Sequence, residues 1–197
     1  MPLDAMREVY DFALEEKIKV HLDGARIWNA SVATGIPTNE YGRYVDSLSV
    51  CFSKGLGAPI GSIVVGDEEF IERARRYRKI FGGGMRQVGI LAAAALYALD
   101  HNVKRLKEDH LHARLFAQEV AQAKHLEIDL DSVQTNMVIA DIQRSGKDQK
   151  EVLSLLKSNG ILVTPERQSA IRAVMHLDVS REEVERAAAI IRSLFHG

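Results

Sequence analysis

Through the first half of the chain, short apolar runs ended by glycine-bearing polar segments alternate with stretches of helical periodicity, and this alternation restricts the fold more than any other feature. Asp4 to Lys17 reads as an amphipathic helix, with Leu3, Met6, Val9, Tyr10, Ala13 and Leu14 on one face. Ile18-Lys19-Val20-His21-Leu22 reads as a short strand, and Asp23-Gly24-Ala25-Arg26 as a loop leading into a helical turn through Ala33. Tyr44 to Phe52 and Ile60 to Val65 are two further strands. Asp67 is placed to cap a helix running to about Ile80, because its carboxylate can accept from first-turn amides. Gly82-Gly83-Gly84 interrupts the chain, and Val88 to Leu99 is rich enough in alanine and leucine to read as a buried helix. Helices and strands in this order make an α/β sheet. The chain opens on a helix of the kind that connects two strands, so the sheet is expected to be incomplete, with an unpaired edge open to aggregation or to another chain.

A polar-faced helix, roughly Val103 to Ala123, follows, and a domain boundary is expected within it near Lys107, giving domains 1–106 and 107–197. Beyond it, Leu126 to Leu130 and Asn136 to Ile142 look like strands, and Asp148 to Ser158 like a helix stopped by Asn159-Gly160. Ile161-Leu162-Val163 and Ile171 to Met175 are further strands, and Ser180 with Glu183 forms a capping box for a last helix. This β-β-α-β-α order predicts a smaller α+β domain.

Composition narrows the function classes. A net charge of −1 argues against general binding to nucleic acid or to membrane surfaces. No apolar stretch is long enough to span a bilayer, and Met1-Pro2-Leu3-Asp4 does not open a signal peptide. Cys51 is the single cysteine, so no intrachain disulfide can form, which fits a reducing cytoplasm.

Two segments directly after strands could carry chemistry. Asp23 lies where α/β proteins place functional groups, just past a strand's C-terminal end, although an aspartate there also serves as a helix N-cap. Arg26, three residues on, could grip a carboxylate with two parallel hydrogen bonds or simply join a surface salt bridge. Lys54 opens Ser53-Lys54-Gly55-Leu56-Gly57-Ala58-Pro59-Ile60-Gly61, where the backbone can bend closely around a ligand. A lysine among apolar groups or cations loses basicity and becomes a nucleophile, and an Asp and a Lys so arranged suit a Schiff base to pyridoxal phosphate with the carboxylate on the ring nitrogen. The glycines do not make a dinucleotide fingerprint, since a strand follows them, nor a P-loop, since the lysine precedes them. Lys79 and Arg86 bracket the glycine triplet and could reach an anion, whereas Arg73, Arg75, Arg76 and Arg78 fit a solvated helix end. The histidines have no ligand spacing, so no metal site is expected, and Cys51 fits a buried small side chain.

The segments HLDGARIWNA, DSLSVCFSKGLGAPIGSIVVG, KIFGGGMRQVGILAAAALYAL and IRAVMHLDVS together resemble threonine aldolase, over essentially all of the chain. The resemblance implies part of the mixed-sheet large domain of the aspartate-aminotransferase fold (fold type I), followed by a small α+β domain. It implies pyridoxal 5'-phosphate bonded to Lys54, Asp23 on the pyridine nitrogen, Arg26 and Arg172 on the substrate carboxylate, and Lys79 and Arg86 near the phosphate, from a neighbouring subunit of a dimer or tetramer. The implied reaction is retro-aldol cleavage of threonine or allo-threonine to glycine and acetaldehyde. Other pyridoxal-phosphate reactions (β-elimination, racemisation, transamination) and a non-catalytic, partner-binding role are the alternatives. In that family a Ser/Gly/Thr phosphate loop and a ring-stacking histidine precede the Asp strand, and only 22 residues precede Asp23 here. Weak or no cofactor binding by this chain alone is therefore expected, and three explanations stay open: a truncated gene product, a split enzyme whose N-terminal half is a separate partner chain, or a part of a longer sequence.

Overall fold

The computed structural model describes residues 1–196. Contacts divide the chain into two compact units, the first Met1–Lys104 and the second beginning at Arg105.

The first unit opens on α1 (Leu3–Glu15), which buries Met6 and Ala13. Lys17 adopts a left-handed φ of 57° and ends the helical register two residues after α1. Strand β1 (His21–Asp23) is followed by α2 (Ile27–Thr34) and α3 (Thr38–Gly42), then β2 (Ser47–Cys51) and β3 (Ser62–Gly66). The sheet order is β1-β2-β3, with β1 parallel to β2 and β3 antiparallel to it. Parallel pairing matches Asp23 with Ser49, and antiparallel pairing matches Cys51 with Ser62. The exits of β1 and β2 and the entry of β3 therefore share one edge of the sheet. A small core of Met6, Ile27, Tyr41 and Val50 packs beneath it. Helices α4 (Glu68–Ile80) and α5 (Gly89–Asn102) complete the unit. The Asp67 carboxylate accepts from Phe70 N at 2.8 Å, the cap expected for α4.

Strand β1 is shorter than expected and includes Asp23. Residues 18–20 stay out of the ladder: Ile18 N bonds Ala13 O at 2.8 Å behind α1, and the Asp46 carboxylate takes Val20 N at 2.8 Å, with Lys19 Nζ on the same carboxylate at 2.7 Å. Helix α5 forms, but the expectation that it is buried is not met. Only Ala98 is buried, while Ile90, Leu96 and Tyr97 are exposed. Alanine and leucine favour helix whether or not the helix is covered, so their abundance predicted the conformation and not the burial.

The second unit holds α6 (Leu106–Val120), β4 (Met137–Asp141), α7 (Gln149–Ser158), β5 (Thr164–Pro165), β6 (Ala170–Val174) and α8 (Arg181–Leu194). Its sheet is antiparallel in the order β4-β6-β5. Helices α6 and α8 pack together over a core that includes Phe116, Val138, Leu156, Val184, Ile191 and Phe195. Ser180 and Glu183 form both bonds of the expected capping box, and Asp148 and Glu151 form a second one. Two expected strands are absent. At Leu126 to Leu130 only Glu127 bridges to Asp141, and the Asp129 carboxylate then takes Asp131 N and turns the chain into a 3-10 segment. Ile161 N instead bonds Leu156 O at 2.9 Å past a left-handed Gly160, closing the end of α7 as a Schellman-type cap and delaying pairing to Thr164. No helix among the described residues is long and apolar enough to cross a membrane.

Candidate functional site

The candidate edge is built by β1, β2 and β3. At the end of β1, Gly24 N donates to Ser49 O on β2 at 2.8 Å. A Cβ on Gly24 would lie 2.9 Å from that oxygen, so only glycine allows the approach. Asp23 is exposed at this edge, and its Oδ1 accepts from Ala25 N at 3.1 Å. This is an Asx turn and not a helix cap; the residue in the N-cap position of α2 is Arg26, which is half-buried and contributes no side-chain cap. Beside it on β1, His21 Nδ1 lies 2.9 Å from Ser47 Oγ, a cross-strand tie between residues in register.

Lys54 lies in the loop joining β2 to β3. The two ends of that loop meet: Phe52 N and Ser53 N both point to Gly61 O, at 3.0 and 3.4 Å. Gly61 has φ of 122°, which a residue with a Cβ rarely adopts. Inside this closure, Gly57 N donates to Lys54 O at 2.8 Å and Ala58 N to Phe52 O at 3.1 Å. Gly55, Leu56 and Ala58 are buried and Lys54 is exposed. The loop thus sinks Leu56 and Ala58 and leaves Lys54 on the outside. Parallel pairing brings it out at the same sheet edge as Asp23. Lys54 is not enclosed by apolar groups, as a lysine activated by burial would be. Cys51, expected to be buried, is half-buried.

Lys79 stands in the last turn of α4 and Arg86 beyond the glycine triplet, both exposed. Arg73, Arg75, Arg76 and Arg78 are exposed too, in keeping with a solvated face. Gly82 N and Gly83 N return to Lys79 O and Arg78 O, ending the helix. Arg172 belongs to the second unit. It sits on β6 opposite Ile139 of β4 and Thr164 of β5, with Nη1 3.1 Å from Glu166 Oε2 and Nε donating to Thr164 Oγ1 at 3.3 Å. The second unit also has a half-open cleft of about 560 Å³, lined by Ile161, Met175, His176, Glu183 and others. None of the candidate site residues Asp23, Arg26, Lys54, Lys79, Arg86 and Arg172 lines it. No cluster of His, Cys, Asp and Glu able to hold a metal ion exists among the described residues.

Two polar groups of this unit, one at the candidate edge and one at the opposite end of the sheet, carried no sequence signal of their own. Asn102, the last residue of α5, donates from Nδ2 to Leu56 O in the Lys54 loop at 2.7 Å. Asp46 ties down the approach to β1, and its bonds to Lys19 and to Val20 N hold its carboxyl below the usual carboxylate range. Both act across long stretches of sequence, where periodicity is uninformative.

The chain resembles a defined set of known proteins. The model of the beta-eliminating lyase family matches residues 1–143. A probable low-specificity L-threonine aldolase 2 of Arabidopsis thaliana is 41% identical over 197 residues, which is 100% of this chain and 56% of that protein. The low specificity L-threonine aldolase of Escherichia coli (strain K12) is 43% identical over 190 residues, covering 96% of this chain and 55% of that one. Among solved structures, a putative L-allo-threonine aldolase from Listeria monocytogenes EGD-E superimposes with a TM-score of 0.79 at 19% identity, covering 100% of this chain and 56% of the other. The threonine aldolase of Leishmania major gives 0.76 at 15% identity, covering 98% and 56%. The chain thus has the α/β architecture of those structures and spans just over half the length of the relatives it matches.

Proposed function

The chain belongs to the beta-eliminating lyase family, and from that premise we propose that it carries part of the active site of a pyridoxal-phosphate-dependent lyase. The reaction is cleavage of L-threonine or L-allo-threonine to glycine and acetaldehyde. The observation that carries this reading is the exposed Lys54 amine on a closed, glycine-bearing loop at the sheet edge where Asp23 also emerges.

These residues fit the cofactor. An outward primary amine on an ordered turn can bond the cofactor's aldehyde carbon. The Asp23 carboxylate accepts from Ala25 N at Oδ1 and keeps lone pairs for a protonated ring nitrogen. When bound, pyridoxal phosphate supplies an electron sink for the pair released as a bond to the substrate's Cα breaks. Asp23 holds the proton on the ring nitrogen, which keeps that sink effective. Lys79 and Arg86 offer exposed cations to the phosphate, as subunits of a dimer or tetramer would share them. Arg26 of the first unit and, as a separate candidate, Arg172 of the second are the residues proposed for the substrate carboxylate, because a guanidinium matches a carboxylate in charge and hydrogen-bond geometry. Fixing the carboxylate fixes which Cα bond is presented for cleavage, and this orientation is the chain's main physical contribution. Arg172 suits the task because Thr164 and Glu166 already order its guanidinium.

The reading extends to a cytoplasmic location, with which the single, free cysteine is consistent, and to a homo-oligomer. A second reading, β-elimination, is favoured by the family model's own description. The products separate the two. Aldol cleavage of threonine yields glycine and acetaldehyde, whereas elimination yields 2-oxobutanoate and ammonia.

The test is to mix the chain with pyridoxal phosphate, reduce with borohydride, and map the modified peptide. Modification at Lys54 that is lost in Lys54→Ala is expected. Modification at another lysine, or equal modification in Lys54→Ala, overturns the assignment.

A further inference from the structure

Lys54 is ordered by more than its own loop. The turn that carries it runs from Lys54 to Gly57, closed by Gly57 N on Lys54 O at 2.8 Å. The carbonyl inside that turn is Leu56 O, and it accepts from Asn102 Nδ2 at 2.7 Å. Asn102 lies 46 positions away in sequence, at the end of α5. An asparagine at a helix end commonly bonds the local backbone. This one reaches across to the loop, where the Leu56 side chain is buried at 1% exposure. A carbonyl beside so buried a side chain has little access to water, and losing its donor there has a cost that a solvated carbonyl would not incur.

We infer that Asn102 is a positioning residue for Lys54: its carboxamide N–H fixes the Leu56 carbonyl, and with it the turn that directs the lysine amine outward. The inference rests on the reading of Lys54 as the cofactor lysine, and it adds a residue that touches neither cofactor nor substrate. The loop is then held at two independent points. Gly61 O closes its base and Asn102 pins its middle. With the middle released, Leu56 can leave its pocket and the amine samples many directions. The closed base keeps β2 and β3 paired, so the change stays local.

The experiment compares the 197-residue chain with Asn102→Ala and Asn102→Asp. Two quantities are read: hydrogen exchange of the loop amides Gly57 and Ala58, and the rate of borohydride-fixed modification of Lys54 by pyridoxal phosphate. In Asn102→Ala, loop protection is expected to fall by on the order of tenfold. Modification is expected to slow on the order of tenfold or more, with exchange in β4 and α8 unchanged. Asn102→Asp keeps the shape and supplies a control that a packing effect would not reproduce. An ionised carboxylate can only accept, so it leaves Leu56 O without a donor at neutral pH. A protonated one donates through its O–H, so loop protection is expected to return as the pH is lowered through the carboxyl titration. Unchanged loop protection in Asn102→Ala, or Asn102→Asp protection that does not recover at low pH, overturns the inference. The two readings fail separately. Modification of the parent chain at a lysine other than Lys54 overturns the cofactor assignment, while the exchange measurements still decide whether Asn102 pins the loop.

Discussion

In the second unit Val138, Val152, Leu156 and Val184 are exposed by 1% or less, whereas in the first Ile63, Val64 and Val65 of β3 are exposed by 45%, 41% and 46%. Both sets are aliphatic residues that favour strands or pack helices against them. What differs is what lies above them. Strand β4 has one face buried under helices, and β3 has neither face buried and one neighbour only. The second unit is therefore stabilised by its own core. The first carries the candidate edge on a thinner one and depends more on specific polar ties, such as those of Asp46, Asn102 and Gly61. A unit of that kind is sensitive to loss of a hydrogen bond and tolerant of loss of a methyl group, while the second unit has the opposite sensitivity.

The largest expected effect lies in the second unit. Leu156→Ala should cost about 2–5 kcal/mol, by lost burial and a residual cavity. Ile63→Ala, in β3, should cost less than about 1 kcal/mol because the side chain is already partly in water. Urea unfolding of the two variants measures this directly, and equal costs would break the contrast. Next, Gly24→Ala should destabilise the first unit by about 1–3 kcal/mol, as its Cβ meets Ser49 O. Hydrogen exchange should register the loss in β1 and β2 and not in β4 or β6.

Smaller is the effect of Val64→Lys. It should change stability by no more than about 0.5 kcal/mol, since the position is exposed. It should nonetheless reduce self-association, because a charge on an open edge strand opposes edge-to-edge pairing. Light scattering against protein concentration tests this. The smallest effects are in pH dependence, where the units should respond in different windows. Burial holds His110 of the second unit below its ordinary value of 6.5. The unfolded chain then binds the extra proton first, and stability falls as the pH drops from about 6.5 through the lowered value. The hydrogen bond from Lys19, with that from Val20 N, holds Asp46 of the first unit below 3.8, so its contribution persists above that pH and is lost only as the pH falls through the lower value. His110→Gln should flatten the first window and Asp46→Asn the second, both read by unfolding midpoints across pH.

Local signals were legible in the sequence and long-range ones were not. Asp67 and the Ser180–Glu183 pair announced their helices because a cap and its amide lie within one turn. Asp148 and Glu151 have the same spacing, and the same reasoning applied there would have found the second box. The strands expected at Leu126 to Leu130 and at Ile161 to Val163 have suitable residues, but an Asx turn and a helix cap claimed their backbone first. The α/β architecture was readable from alternation, and the proposed site residues Asp23 and Lys54 were singled out by their places at the ends of strands. Asn102 could not be read this way, since nothing local marks a side chain whose acceptor lies 46 positions upstream.

The β2–β3 connection has one more consequence, for how its length can vary. It begins and ends on adjacent antiparallel strands, with Cys51 opposite Ser62 and Phe52 N on Gly61 O. The span between is a hairpin loop as well as a carrier of Lys54. Adding or deleting one residue there cannot simply lengthen or shorten the arm that holds the amine. If the change is absorbed within the loop, the Lys54–Gly57 turn and the reach to Asn102 are lost. If it passes into β3, that strand's alternation inverts and Val64 exchanges faces with Ile63 and Val65. The spacing between Cys51 and Ser62 is thus constrained twice, once by the turn and once by the sheet, and insertions tolerated in other surface loops of this chain should be rejected in this one.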